Sequence, residues 1–510
     1  MKRRDFLKRS AQVGALIPLA SSGLMARPLA YNYFNRPSGA EDRILVLINL
    51  SGGNDGLNTV IPYQDSAYYN ARPALNINTN SVLQLDEKLG LHNSMTGIHN
   101  LFNEGNCVVI NNVGYPEQNR SHFRSTDIWH TASDAEEILF TGWLGRYLQA
   151  VHPDYPSTLP DAPFALQIST STSLALLGAN GNMGIALENP EQFFRLANGL
   201  EVEPTPLPNT LAGPELEYVR NIIQQSDTFS KEIDNAMNSG ANNTTYNTDS
   251  LSLQMQTVAR LINGGLPTSV YIVTLGGFDT HSGQLGSHSL LLNYFSSAVT
   301  SFLNDMNIGG NGDRVVCMSY SEFGRRLNEN GSSGTDHGAA APQFVLGNPV
   351  IGGKLLGGYP DLINLDDRGD LVQKVDFRRI YATILSDWLG VSTAETANVL
   401  GGSFGKLPIF TTLGATDEQR ASRAGILLEQ NRPNPASGRT EIAFTIPTRS
   451  FVRIDLVDSR GREHGSLVER ELEPGRHQIQ VDLSSYPPGG YIYRLQTGRH
   501  RVSKRMAIVR

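Results

Sequence analysis

Cysteine is nearly absent from this chain of 510 residues: there are 2, alongside 3 Trp and 11 His. Two cysteines cannot make the disulfide framework of a small secreted scaffold. Both fall in apolar, strand-like runs, Cys107 in NCVVINN and Cys317 in RVVCMSY, so two buried unpaired thiols are expected. No run of about 18 apolar residues occurs, which excludes a helix crossing a membrane in the mature protein. Charged residues make up only 18% against 39% hydrophobic, with 50 Gly and 26 Pro. That is a loop-rich globular composition, without the charge excess or aromatic poverty of a disordered chain. There is no internal repeat and no long low-complexity tract.

Positive charge is scarce in the middle of the chain. The net charge of −7 divides into 7 basic and 1 acidic residue over 1–40, 21 and 40 over 41–431, and 14 and 8 over 432–510. An acidic body of that size repels polyphosphate, so nucleic acid is not an expected partner. Carboxylate-rich sites for divalent cations are compatible with it, although solubility alone accounts for most surface carboxylates. Residues 1–30 combine a basic start, a mildly apolar stretch over 11–20 and small residues fit for a signal peptidase, the pattern of an export signal. Within it KRRDFLK resembles the twin-arginine pattern.

From residue 41 the chain alternates buried-strand runs with helical periodicity. RILVLINL (43–50), CVVIN (107–111), FALQIS (164–169), SVYIVTL (269–275) and RVVCMSY (314–320) are unbroken apolar runs, as in strands buried on both faces of a parallel sheet. Turn-spaced apolar positions over 216–237, 251–261 and 290–306 predict helices, and DFRRIYATILSDWLG (376–390) reads as the last one. The expected fold is α/β, with a doubly wound, mostly parallel sheet over 41–395. NSGANNTTYNTDS (238–250) is expected to be a mobile polar loop. Residues 396–432 read as a linker, and from 433 alternating strands separated by Gly and Pro turns predict a small antiparallel β-sandwich.

The polar motifs follow the strands, where ligands gather in such sheets. SGGNDGLN puts Asn54 and Asp55 in a glycine-rich turn after the first strand, as an oxygen ligand or as a plain Asp-Gly turn. NRSHFRSTDIWH brings Arg120, Ser121, His122 and Arg124 close to Asp127 and His130: arginines to orient an anionic ester, Ser121 as nucleophile or helix cap, His122 as proton donor or acceptor. GGFDTH places Asp279 and His281 on one face of an extended segment, with His288 shortly after. GTDHG sets Asp336 beside His337 in a loop flexible enough to splay both toward one metal.

Taken together, the twin arginines, SGGNDGLNTVIPY, RSHF, GGFDTH, SEFGRR, GTDHG and GGKLLGGYP resemble the exported bacterial domain-of-unknown-function 1501 family, a branch of the alkaline phosphatase and sulfatase superfamily, over roughly residues 1–395. The resemblance implies an alkaline phosphatase-like fold and a one- or two-metal site acting on phosphate or sulfate esters. It implies Asp55, Asp279, His281, Asp336 and His337 as metal ligands, for zinc, calcium, magnesium or manganese. The superfamily's late histidine has no counterpart, since after His337 only His464, His477 and His500 remain. One metal site is then incomplete, or is completed by His122, His288 or Glu322. Glu322 and Arg325 of SEFGRR fit a site role or a helix-start salt bridge.

The tail, with NRPNPASG, GGYIYRLQTG and a basic end, resembles the sorting domain of the Bacteroidetes type IX secretion route. The partners implied are an anionic ester or a glycan, with twin-arginine and type IX export machinery, and the place implied is the periplasm, the cell surface or the medium. Two functions stand side by side: a metal-dependent ester hydrolase, and a non-catalytic surface or glycan-binding protein that keeps the fold around an incomplete metal site.

Overall fold

The computed structural model describes residues 42–197, 212–410, 421, 425–458, 462–497 and 500–509. The expected export signal over 1–30 lies outside them. The chain forms two compact units, one ending at Ile409 and one beginning at Phe410.

In the first unit the apolar runs become strands because they have no polar face to leave in water. The strands are β1 (Ile44–Leu50), β2 (Cys107–Gly114), β3 (Ala165–Ile168), β4 (Ile185–Leu187), β5 (Val270–Leu275), β6 (Val315–Tyr320), β7 (Ala341–Leu346), β8 (Lys354–Leu356) and β9 (Val375–Asp376). They make one nine-stranded sheet in the order β8-β2-β7-β6-β1-β5-β3-β4, with β9 also on β2. Every pairing is parallel except those of β7, which runs against both β6 and β2. The doubly wound, mostly parallel sheet expected is therefore the architecture found. β7 is an addition: APQFVL is short and opens on Ala-Pro, yet all six residues are buried. Both cysteines are buried and unpaired, and burial pushes both thiols up.

The helices flanking the sheet include α1 (His122–Thr131), α2 (Ala212–Ser239), α3 (Ser250–Asn263) and α4 (Gln284–Ile308). The polar stretch after α2 is pinned rather than loose. Asp305 of α4, fully buried, accepts hydrogen bonds from the Asn242, Asn243 and Asn263 side chains, from Tyr246 and from the Asn243 amide. A carboxylate removed from water recruits every donor near it, and here the asparagines that looked like loop filler are its solvation shell.

His130, on the inner face of α1, is buried with its Nε2 2.9 Å from the Tyr320 hydroxyl. Burial lowers its pKa from the ordinary 6.5 to about 4. The unfolded chain then binds a proton that the folded one refuses, so stability is full above about pH 6.5 and falls as pH drops toward 4. The loss at the acid end is roughly 3 kcal/mol for this residue. His92 and His288 are lowered in the same direction by burial. Urea midpoints measured from pH 7.5 to 4 are expected to fall steeply, and His130→Gln to flatten that slope; an unchanged slope in the variant would remove His130 as its source.

In the second unit Leu427–Leu428, Arg439–Ile446 and Gly475–Asp482 form one antiparallel sheet. Glu463–Leu472, Ser450–Asp458, Gly489–Thr497 and His500–Ile508 form another. Alternating residues of both, among them Ile442, Phe444, Ile454, Leu456, Tyr493 and Leu495, meet in one apolar core, as the period-two pattern requires of a sandwich.

Candidate metal centre

β1, β5 and β6 are parallel and so release their chains at the same end of the sheet, and β7, being antiparallel, receives its chain there. That geometry gathers residues 51–55, 276–281 and 321–337. Close approach depends on glycine: Gly52 has φ +122°, and a Cβ there would lie 2.4 Å from the Asp279 amide nitrogen. Residues 321–340 form a laddered loop, with Gly324 N donating to Ala339 O at 2.7 Å and Arg326 N to Asp336 O at 3.0 Å.

At the centre is Asp279. Its Oδ1 lies 3.1 Å from the Nε2 of both His281 and His337, and its Oδ2 lies 3.5 Å from His122 Nε2. The far nitrogen of each ring is already committed. His337 Nδ1 is 2.9 Å from the Arg120 carbonyl, His122 Nδ1 is 2.8 Å from Glu322 Oε1, and His281 Nδ1 is 3.3 Å from Asp336 Oδ1. Carbonyl and carboxylate oxygens only accept, so each Nδ1 carries a hydrogen, and the neutral form of each ring presents a bare Nε2. The His281 and His337 Nε2 atoms stand 2.9 Å apart. Lone pairs converging on a carboxylate repel one another unless a cation lies among them, and a second nitrogen anchored to an oxygen is the habit of metal-binding histidine. The ligand atoms of His122, Asp279 and His337 all lie within 4.8 Å of one another, so these residues fit a divalent ion.

The protonation states suit that role. Burial raises the Asp279 carboxyl, but the Arg325 guanidinium hydrogen-bonded to it outweighs that and holds the group at about 2. Burial lowers the His337 imidazole, which keeps the ring neutral. The Asn330 side chain holds the Asp336 carboxyl below its usual range.

The structure brings Asp279, His281, Asp336, His337 and His122 together, and gives the other sequence candidates different partners. Asp55 is fully buried and pairs with Arg72 at 2.6 Å, with Gln284 donating to the same oxygen. Burial raises this carboxyl, but Arg72 prevails and its pKa is lowered. Arg120 turns its guanidinium to Asp370, and Arg124 donates to the carbonyls of Asp134, Ala135 and Glu137. Ser121 occupies the N-cap of α1, yet its hydroxyl makes no capping bond.

Glu322 and Arg325 of SEFGRR organise the site. Glu322, buried, accepts from the Gly52 amide at 2.9 Å and orients His122. Arg325, fully buried, donates to the carbonyls of Gly52, Gly53, Phe278 and Thr335 and to Asp279 Oδ1 at 2.7 Å. No helix starts at SEFGRR, so the salt-bridge alternative lapses; the signal in the sequence is the motif's place directly after β6.

An α/β domain carrying a histidine and carboxylate centre at its strand ends, followed by a β-sandwich, defines the class. The chain belongs to the family described as "Protein of unknown function (DUF1501)", whose model matches residues 42–407. A secretion system C-terminal sorting domain matches residues 432–509, and this tail marks the chain for export to the cell surface or for secretion. No helix among the described residues is long and apolar enough to cross a membrane. No curated protein matches the chain.

Solved structures to which it is similar include PorZ, an essential surface component of the type-IX secretion system of Porphyromonas gingivalis. There the identity is 15% and the TM-score 0.13, over 20% of this chain and 14% of PorZ. The lipoteichoic acid synthase LtaP from Listeria monocytogenes matches at 10% identity and TM-score 0.32, over 84% of this chain and 87% of that one. A protein in the alkaline phosphatase superfamily from Vibrio parahaemolyticus matches at 9% and 0.32, over 98% and 91%.

Proposed function

We propose that the chain is an exported metal-dependent hydrolase of phosphate or sulfate esters. The observation that carries this reading is the convergence of three bare imidazole nitrogens on Asp279, each ring fixed by an oxygen at its far side. His122, Asp279, His281 and His337 would hold the ion, and the nitrogen-rich set favours zinc over manganese, magnesium or calcium. A divalent ion bound there supplies positive charge against the ester's anionic oxygens. The residues themselves do the positioning. Glu322 and Asp336 hold two of the rings in one tautomer, and Arg325 keeps Asp279 ionised and aimed. A cavity of about 460 Å³, lined in part by His122, Asp279 and Glu322, opens beside them.

One observation favours the rival reading of a non-catalytic surface or glycan-binding protein: the guanidinium groups of Arg120 and Arg124 are occupied away from the centre. Purified protein reconstituted with zinc, manganese, magnesium or calcium decides between them. Bound metal in stoichiometric amount, with turnover of aryl phosphate or sulfate esters that falls at least about 100-fold in Asp336→Ala, is the expected result. Metal binding without turnover on any ester, but with anion or glycan affinity that Asp336→Ala abolishes, gives the rival reading. Absence of bound metal ends the hydrolase reading.

A further inference from the structure

The cavity beside the centre is lined by His122, Asp279 and Glu322 and also by Phe123, Thr126 and Asp127. α1 supplies His122, Phe123, Thr126 and Asp127 among them. His122 in the first turn of α1 points to the centre, and Phe123 and Asp127, four apart, share a neighbouring stripe. The opposite face of α1 anchors it, with Ser125, Ile128 and Trp129 buried.

Phe123 is 88% exposed. A lone exposed phenyl is unremarkable on a protein surface, but this one lines a cavity next to a carboxylate that takes no hydrogen bond or ion pair from any described residue. An unpaired carboxylate lining the cavity where an anionic ester would lie is a liability while ionised, since like charges at close range disfavour each other. It becomes an asset once protonated. Asp127 is exposed, yet partial loss of surrounding water raises its carboxyl, against the pull of Arg124, and an incoming anion pushes further the same way.

We propose that Phe123 and Asp127 form the leaving-group side of this cavity, with Phe123 as a face for an apolar ring or carbon skeleton and Asp127 as proton donor to the departing oxygen. The assignment rests on the ester-hydrolase reading above and deepens it: the substrates are esters of alcohols, whose alkoxides leave poorly without a proton. As the ester P–O or S–O bond breaks, its electron pair stays on the departing oxygen. The Asp127 O–H bond breaks in the same step, and its proton completes a neutral alcohol. Water supplies the replacing oxygen, and one of its protons returns through solvent to Asp127.

The test compares two esters of the same acid on the full-length, metal-loaded protein: a 4-nitrophenyl ester, whose leaving group needs no proton, and a cyclohexylmethyl ester, whose leaving group does. Asp127→Asn is expected to lower kcat/KM for the alkyl ester at least about 30-fold more than for the nitrophenyl ester, in the range of general acid catalysis. Asp127→Glu is expected to restore part of that difference. With the ethyl ester of the same acid as a third substrate, Phe123→Ala is expected to raise KM for the cyclohexylmethyl ester about 5-fold more than for the ethyl ester, the scale of about one apolar contact. Equal losses on both esters in Asp127→Asn, with wild-type melting, overturn the acid role while leaving the hydrolase reading intact. No turnover of either ester by the wild type removes the hydrolase reading and this assignment with it.

Discussion

Arg325→Met is expected to destabilise the first unit by about 4 kcal/mol or more and to abolish metal binding. The guanidinium lies fully buried and makes five hydrogen bonds, four to backbone carbonyls and one to Asp279. Methionine matches the stem but strips the buried Gly52, Gly53 and Thr335 carbonyls of this donor, while Phe278 keeps the Thr280 amide and Asp279, about half exposed, can turn to water; a buried acceptor left without a donor bears the full cost of desolvation. Those acceptors belong to three loops, at 52–53, 278–279 and 335, so the loss also removes what registers Asp279 against its histidines. Lysine keeps the charge but not the fork, and Arg325→Lys should recover only a fraction. A denaturation midpoint and a zinc titration on the same samples check both parts; wild-type values in Arg325→Met would show that the loops are held by something else.

Gly52→Ala should do comparable damage by a steric route. At φ +122° an L-residue is strained, and the new methyl would sit 2.4 Å from the Asp279 nitrogen and 2.7 Å from the Phe278 carbonyl carbon. Both neighbours are backbone, so relief requires one loop to retreat from the other. A cost of roughly 3 kcal/mol is expected from strain and overpacking together. Any retreat carries Asp279 off the imidazoles, so metal affinity should fall by more than the stability does. Thermal melting with and without added zinc reads this directly: wild-type melting is expected to rise with metal, and the variant's to start lower and rise little. A variant that melts and responds like wild type would mean the loops have slack at this contact.

The strands were legible because burial on both faces leaves an unbroken apolar run, and 43–50, 269–275 and 314–320 have no other reading. β7 was not, since Ala-Pro at its start and its closeness to GTDHG gave it the look of a loop. At the site, Asp279, His281, Asp336 and His337 could be found because each stands in a glycine-rich motif at a strand end. Asp55 stands in the same kind of motif, and nothing in SGGNDG announces that Arg72, 17 residues on, reaches back to neutralise it. Pairings between distant side chains are properties of the folded surface, not of local pattern. The same limit applies to Asp305, whose asparagine partners come from 242, 243 and 263.

The lone antiparallel strand bears on how the centre is assembled in time. Parallel neighbours such as β1 and β5 are joined only through long excursions of chain, so the meeting of Gly52 with Asp279 must await the closure of more than two hundred residues. β6 and β7 are instead joined by residues 321–340 alone, and this stretch contributes Glu322, Asp336 and His337 with its own internal ladder. Contacts of short sequence separation form at small entropic cost and long ones late. Half the centre thus belongs to a local unit able to order before the sheet is complete, and the other half, His122, Asp279 and His281, arrives only with the finished fold.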